Sequence, residues 1–248
     1  MKKISLIIIS MIIAMTNAMA QERTVENRPY TDLRQFHFGV LVGGHVQDLE
    51  LLNVGQQTIT KEDGTQSSVL ISTDQDRYDA GFHVGVLGEI RLTEHLQLRV
   101  APAMYFGSRH ITFHNFNEQD TDGKTLERHQ LLKTAYVSTA FDIIFAAPRF
   151  NNHRPYLMLG LNPMLNLNSK SNDYLRLKKY DTFMEIGAGC DFYLPFFKLR
   201  PELKFLFSLM NTLDDKHANH LENKSMLPYT NSVKEARSKM IVLTFYFE

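Results

Sequence analysis

Between Lys198 and Leu209 the chain reads Lys-Leu-Arg-Pro-Glu-Leu-Lys-Phe-Leu-Phe-Ser-Leu. Leu199, Pro201, Leu203, Phe205, Phe207 and Leu209 fall on one parity, and Arg200, Glu202 and Lys204 fall on the other. Successive side chains of a strand point to opposite faces, so this period of two reads as a strand with one apolar and one charged face. The pattern recurs along a chain that opens like an exported protein. The combination predicts an outer-membrane β-barrel.

The opening carries Lys2 and Lys3, an apolar run from Ile4 to Met15, and Ala18-Met19-Ala20 before Gln21, the order of a secretory signal. We read residues 1–20 as a cleaved signal peptide, 21–35 as a loose, polar periplasmic tail, and 36–248 as the barrel. No Cys stands near the cleavage point, which argues against a lipid anchor, and no later stretch approaches the ~18–20 apolar residues of a transmembrane helix. If the mature protein meets a membrane, it does so with strands. Removing Lys2 and Lys3 from the 27 basic residues leaves 25 against 27 acidic ones, a net charge of −2 that gives no reason to expect nucleic acid. Cys190 is the single cysteine, so no internal disulfide forms, and it reads as an inert wall thiol.

Eight segments have strand character: Phe36 to Gly44, Ala80 to Leu92, His95 to Phe106, Tyr136 to Phe145, Pro155 to Leu165, Asp181 to Leu194, Lys198 to Met210 and Ser238 to Phe247. Thr93-Glu94, Ala146 to Arg154 and Pro195-Phe196-Phe197 form short connections. His45 to Asp79, Gly107 to Ala135, Asn166 to Tyr180 and Asn211 to Arg237 are long and polar. That alternation is the order of an eight-stranded antiparallel up-and-down transmembrane barrel, with short periplasmic turns and long extracellular loops. Asp63-Gly64 and Asp122-Gly123 favour tight hairpin turns, so some strands are expected to extend past the bilayer. A soluble sandwich would alternate too. Strand lengths near those that cross a bilayer, the loop order, and aromatics at strand ends (Tyr105, Phe106, Tyr193, Phe196, Phe197, Phe245, Tyr246) favour the barrel.

An eight-stranded barrel is just wide enough for side chains to fill. The inward parity carries His37, His83, Glu89, Asp142 and Arg154, together with a predicted structural network of Arg91, Arg99, Glu185, Asp191, Arg200, Glu202 and Lys204. Paired charges in a dry lumen make a plug, not a pore. Glycines 39, 43, 81, 85, 187 and 189 would relieve crowding in the wall.

The run from Asp191 to Leu209, with Tyr193-Leu194-Pro195 and Pro201-Glu202-Leu203 at its centre, resembles PorT (SprT), an outer-membrane family of the Bacteroidota type IX secretion system. Phe36-His37-Phe38-Gly39, Arg149 to Leu157 and Leu243 to Glu248 match it in order, whereas Val137-Ser138-Thr139-Ala140-Phe141 departs from the family's Glu-Ile-Pro-Leu-Leu-like pattern. The resemblance implies a non-enzymatic barrel required for secreting cargo with a C-terminal sorting domain, and in gliding species for motility. Its implied partners are outer-membrane lipid and other secretion components, with no cofactor and no catalytic residue.

Other chemistries have weaker footing. Ser108, His110, His114, Asp120, Asp122 and His129 share one loop and could form a nucleophile, base and orienter, but at no recognisable spacing. His110 with His114, or Asp214, Asp215, His217 and His220, could supply metal ligands, yet solvated loops offer such groups cheaply. Large external loops leave a surface-binding or adhesin role as the alternative.

Overall fold

The computed structural model describes residues 25–60, 66–120, 122–168, 173–221 and 223–248, so the expected signal peptide and the Asp63-Gly64 turn lie outside the described residues. Among the described residues ten strands form: β1 (Phe36–Asn53), β2 (Gln56–Thr60), β3 (Gln66–Arg77), β4 (Ala80–Arg91), β5 (Leu96–Gln119), β6 (Thr125–Ala146), β7 (His153–Asn166), β8 (Tyr180–Tyr193), β9 (Lys198–Ser208) and β10 (Val233–Phe247). Eight of them, β1 and β4 to β10, make an antiparallel ring that closes where β1 meets β10, from Val40↔Phe247 to Leu52↔Glu235.

The polarity of the wall identifies its solvent. Arg200 and Glu202 are no more than 1% exposed, whereas Leu203 and Phe205 on the other parity are 44% and 41% exposed. In water this arrangement would bury charge and expose hydrocarbon, both unfavourable. Within a bilayer it is the stable one, because the apolar face meets lipid while ladder hydrogen bonds satisfy every strand backbone. Outward apolar side chains run from Leu96 to Phe106 on β5 and from Ile241 to Phe247 on β10.

The long loops are largely strand. β1, β5, β6 and β10 continue beyond the apolar band, and β3 pairs with the outer half of β5, from Ile71↔Asn115 to Arg77↔His110, directly above β4. The β5–β6 hairpin turns at Asp120 to Lys124, where Gly123 takes a positive φ of 74° that the Asp-Gly step accommodates. The barrel therefore has two storeys. Below lies the charged lumen; above it, outside the membrane, Leu49, Ile71, Ile111, Phe113, Leu132, Leu175, Leu177, Leu213, Tyr229, Val233 and Ala236 form a separate apolar core.

Two expectations need correction. Of the aromatics read as a membrane girdle, Tyr105, Tyr193 and Tyr246 turn into the lumen, and only the phenylalanines face outward. A tyrosine carries a hydroxyl that a buried carboxylate can use, which gives the inward position its advantage. The segment before β1, read as a loose tail, is seated on the lower mouth of the barrel: Asn27 N–H donates to Asn152 Oδ1 (2.8 Å), Tyr193 Oη donates to Asp32 (2.7 Å), and Thr31 is buried.

Candidate functional site

The lumen is organised by cross-strand rows. His37, Glu89, Arg99, Asp142, Gly160 and Glu185 are successive partners from β1 to β8, so one lateral row sets Arg99 between the acids Glu89 and Asp142 and reaches Glu185 across Gly160. A glycine in such a row makes room for its neighbour. At Gly43 a Cβ would collide with the His83 ring, which lies flat across it and meets Thr244 Oγ1 at 3.0 Å.

Glu202 is the hub. Arg99 Nη1 (2.8 Å) and Tyr156 Oη (2.7 Å) donate to Oε2, and Tyr246 Oη donates to Oε1 (2.9 Å). Arg200 donates to Asp191 at 2.5 Å and, through Nη1, to Glu89 and Glu248 at 2.6 Å each. Lys204 lies 3.5 Å from Glu185 and 3.9 Å from Glu202, and Lys198 pairs with Glu248. The Arg99 guanidinium also stacks 4.3 Å over the Tyr246 ring. Desolvating these ions is costly, and mutual pairing with several hydrogen bonds each offsets the cost. At this level Arg99, Glu89, Arg200 and Glu202 are each no more than 1% exposed.

Of the residues expected in this network, the structure brings together Arg99, Glu185, Asp191, Arg200, Glu202 and Lys204. Arg91 is not among them: it stays half-exposed at the lower rim and donates to the Thr93 carbonyl at 3.2 Å, because β4 ends there. Tyr156, Tyr246, Lys198 and Glu248 belong to the network and were not anticipated. Lys198 shares the parity of Arg200, which was the available signal.

At the lower mouth, Arg149 stacks on Tyr193 at 3.7 Å and donates to the Asn27 carbonyl at 2.5 Å, while Arg28 donates to the Glu248 carbonyl at 3.0 Å. Of the other matched residues, Leu194 and Pro195 shape the turn into β9, Pro201 sits on the outer wall opposite Phe245, and Leu203 faces lipid.

The upper storey holds the residues considered for catalysis. Ser108 Oγ and His110 Nδ1 both donate to Asp79 Oδ2, at 3.1 and 2.5 Å, so the hydroxyl meets a carboxylate rather than an imidazole base. Although desolvation opposes it, these two hydrogen bonds hold the Asp79 carboxyl below its ordinary range. His114 pairs with Glu127 at 3.2 Å and His129 with Thr112 at 2.7 Å; Asp122 is exposed in the β5–β6 turn, and Asp120 opens that turn. Asp214 and Asp215 pair with Arg176 and Lys178, and His217 and His220 bond backbone carbonyls of Asp173 and Lys216. Among the described residues no three His, Cys, Asp or Glu side chains converge as a metal would need.

A family model described as an outer membrane protein beta-barrel domain matches residues 19–214. The chain belongs to that family. As a member of it, the protein resides in the outer membrane. No curated protein sequence matches the chain. Solved structures similar to it include Neisserial surface protein A (12% identity, 86% of this chain and 98% of that one, TM-score 0.40). Ail, the attachment invasion locus protein of Yersinia pestis, solved with the heparin analogue sucrose octasulfate, aligns at 11% identity over 86% and 99% with a TM-score of 0.36. OprG of Pseudomonas aeruginosa aligns at 10% identity over 86% and 93%, with a TM-score of 0.42.

Proposed function

We propose that this protein is a sealed, non-enzymatic barrel that displays its upper storey as a rigid binding head at the cell surface, residues 1–20 serving as its export signal. The observation carrying this reading is the head's own apolar core, built from β1, β3, β5, β6, β10 and the connections after β7 and β9. Loops that served only to join strands would not need one. The core fixes an outward polar surface that includes Glu127, Arg128, His129 and Lys133, and adaptable polar groups on a rigid support suit recognition. The closed lumen supports display over conduction.

Cells lacking the gene, complemented with wild type or with a variant in which Arg128, His129 and Lys133 are Ser, provide the test. Loss of surface attachment in the null and the variant, with equal amounts of folded barrel, supports the reading; attachment unchanged in the null overturns it.

A second reading, a required component of type IX secretion, is favoured by a different observation. Arg149, Asn152, Tyr193 and the terminal strand, which carry the PorT resemblance, gather at the periplasmic mouth around Asn27 and Asp32. A null strain that retains sorting-domain cargo in the periplasm supports it, and normal export of that cargo removes it.

A further inference from the structure

The lower mouth of the barrel grips a peptide main chain with side chains. Asn152, in the β6–β7 turn, applies both ends of its amide to the segment before β1: Nδ2 donates to the Val25 carbonyl at 3.0 Å, and Oδ1 accepts from Asn27 N–H at 2.8 Å. Arg149 in the same turn donates to the Asn27 and Arg28 carbonyls, at 2.5 and 3.3 Å. Three side chains of the segment answer. Asn27 Nδ2 donates to the Tyr193 carbonyl at 3.0 Å, and Arg28 donates to the Glu248 carbonyl at 3.0 Å. The Asp32 carboxylate accepts from Tyr193 Oη at 2.7 Å and stands 3.9 Å from Arg149 and 3.8 Å from Arg154.

The barrel itself holds this cradle in shape. Arg149 Nε donates to the Asn151 carbonyl at 2.7 Å, its guanidinium lies 3.7 Å over the Tyr193 ring, and Arg154 Nε donates to the Ala147 carbonyl at 2.9 Å. Asn151 takes a φ of 51°, a left-handed conformation that Asn tolerates, in the turn that presents Arg149 and Asn152. The occupant is less firmly committed. Val25, Tyr30 and Leu33 are 85%, 75% and 65% exposed, so the segment gains little from apolar burial. Residues 25–28 belong to no helix or strand, and Arg28 is held at a φ of 51° that arginine seldom adopts. A surface segment held by hydrogen bonds and strained in its backbone opens at low cost, and the groups it leaves stay preorganised.

We propose that the lower mouth is a binding site for short peptides, and that its resident occupant, residues 25–32 of the chain itself, is displaceable. The ligand class follows from the contacts. It is an irregular main-chain segment carrying an Asn and, five residues on, a carboxylate, as Asn27 and Asp32 do. Arg149 and Arg154 make the second position selective for an acid. The side chains of Val25, Glu26, Tyr30 and Leu33 are exposed in the bound segment, so those positions are free to vary. The site lies at the end of the barrel opposite the head and rests on neither reading of the function given above.

The test uses the full chain, folded in detergent, with a specific protease site inserted between Arg34 and Gln35. After cutting and washing, a fluorescent synthetic peptide of residues 25–34 should bind saturably by anisotropy, and far more weakly to the uncut barrel, whose tethered segment competes. Asn152→Ala or Arg149→Ala in the barrel should weaken binding at least ~tenfold, as should Asp32→Asn in the peptide, the scale of lost hydrogen bonds to charged groups and paired main-chain bonds. A peptide with Ala in place of Val25, Glu26, Tyr30 and Leu33 should bind within about threefold, since exposed side chains add little. In the uncut wild type, excess peptide should speed hydrogen exchange at the Asn27 amide, a readout that needs no cleavage and no variant. Failure of the peptide to bind the cut barrel or to speed that exchange makes the segment a fixed part of the wall and overturns the proposal. Undiminished binding to Asn152→Ala, or loss of binding by the Ala-substituted peptide, overturns main-chain recognition and with it the proposal.

Discussion

Leu203 and Leu131 are equally exposed, at 44% each, and yet they report opposite environments. Leu203 lies in a row of Leu and Phe side chains below the boundary; Leu131 stands between His129 and Lys133 above it. The lower storey keeps charges inside and hydrocarbon outside, and the upper storey does the reverse. Continuous strands carry both arrangements, so the apolar parity must change phase along them. On β5 the apolar residues are outward even positions from Leu96 to Phe106, and then inward odd ones at Ile111 and Phe113. On β1, Phe36, Phe38, Val40 and Val42 face outward, whereas the head buries Leu49. The switch marks where the solvent changes from lipid to water. At the same level Lys239 pairs with Glu50 at 2.6 Å, and the hydrogen bond and charge of that pair lower the Glu50 carboxyl and raise the Lys239 amine.

The largest expected effect lies in the charged storey. Glu202→Ala leaves Arg99, Tyr156 and Tyr246 without their shared acceptor and should cost ~3–5 kcal/mol in urea unfolding from lipid vesicles. Phe113→Ala, in the middle of the head core, should cost about 3 kcal/mol. Its loss should be local, read as faster proteolysis of the upper loops while the barrel below keeps its heat-modifiable mobility on gels. If both substitutions instead melt the whole molecule together, the storeys are one cooperative unit.

The paired leucines sharpen the comparison further. Leu203→Arg puts a charge against lipid and should destabilise by ~2–4 kcal/mol, whereas Leu131→Arg on the watered face should stay within about 0.5 kcal/mol. Equal penalties would mean that the head is membrane-embedded. The smallest effect concerns Asp79. Its carboxyl is held below the ordinary range, so its contribution is present above that range and fades as pH falls through the lowered value. Hydrogen-exchange protection near Arg77 and Ser108, taken relative to the intrinsic rate at each pH, should fall on acidification in the wild type, and Asp79→Asn should remove that response.

The lower storey was legible in the sequence because its outward face is densely apolar: Leu199 to Leu209 and Ile241 to Phe247 announce strands on their own. The head was not, since its core draws single residues such as Leu175, Leu177 and Leu213 from polar connections whose average composition reads as loop. The phase change on β5 was the available signal, masked by the polar run around Ser108 and Arg109. Within the lumen, parity separated inward from outward residues but could not set depth. Arg91 has the right parity and lies too low, while Tyr246 and Glu248 join the network because β10 closes against β1.

Cysteine scanning along β10, in a Cys190→Ser background in intact outer membranes, tests the two-storey account most directly. A membrane-impermeant thiol reagent should label Cys placed at 235 and 237, and should fail at outward positions 241, 243 and 245 and at lumen positions 242 and 244. Labelling at 242 or 244 would mean that water fills the lumen, and protection at 235 and 237 would place the head in lipid; either result contradicts a sealed barrel carrying an external head.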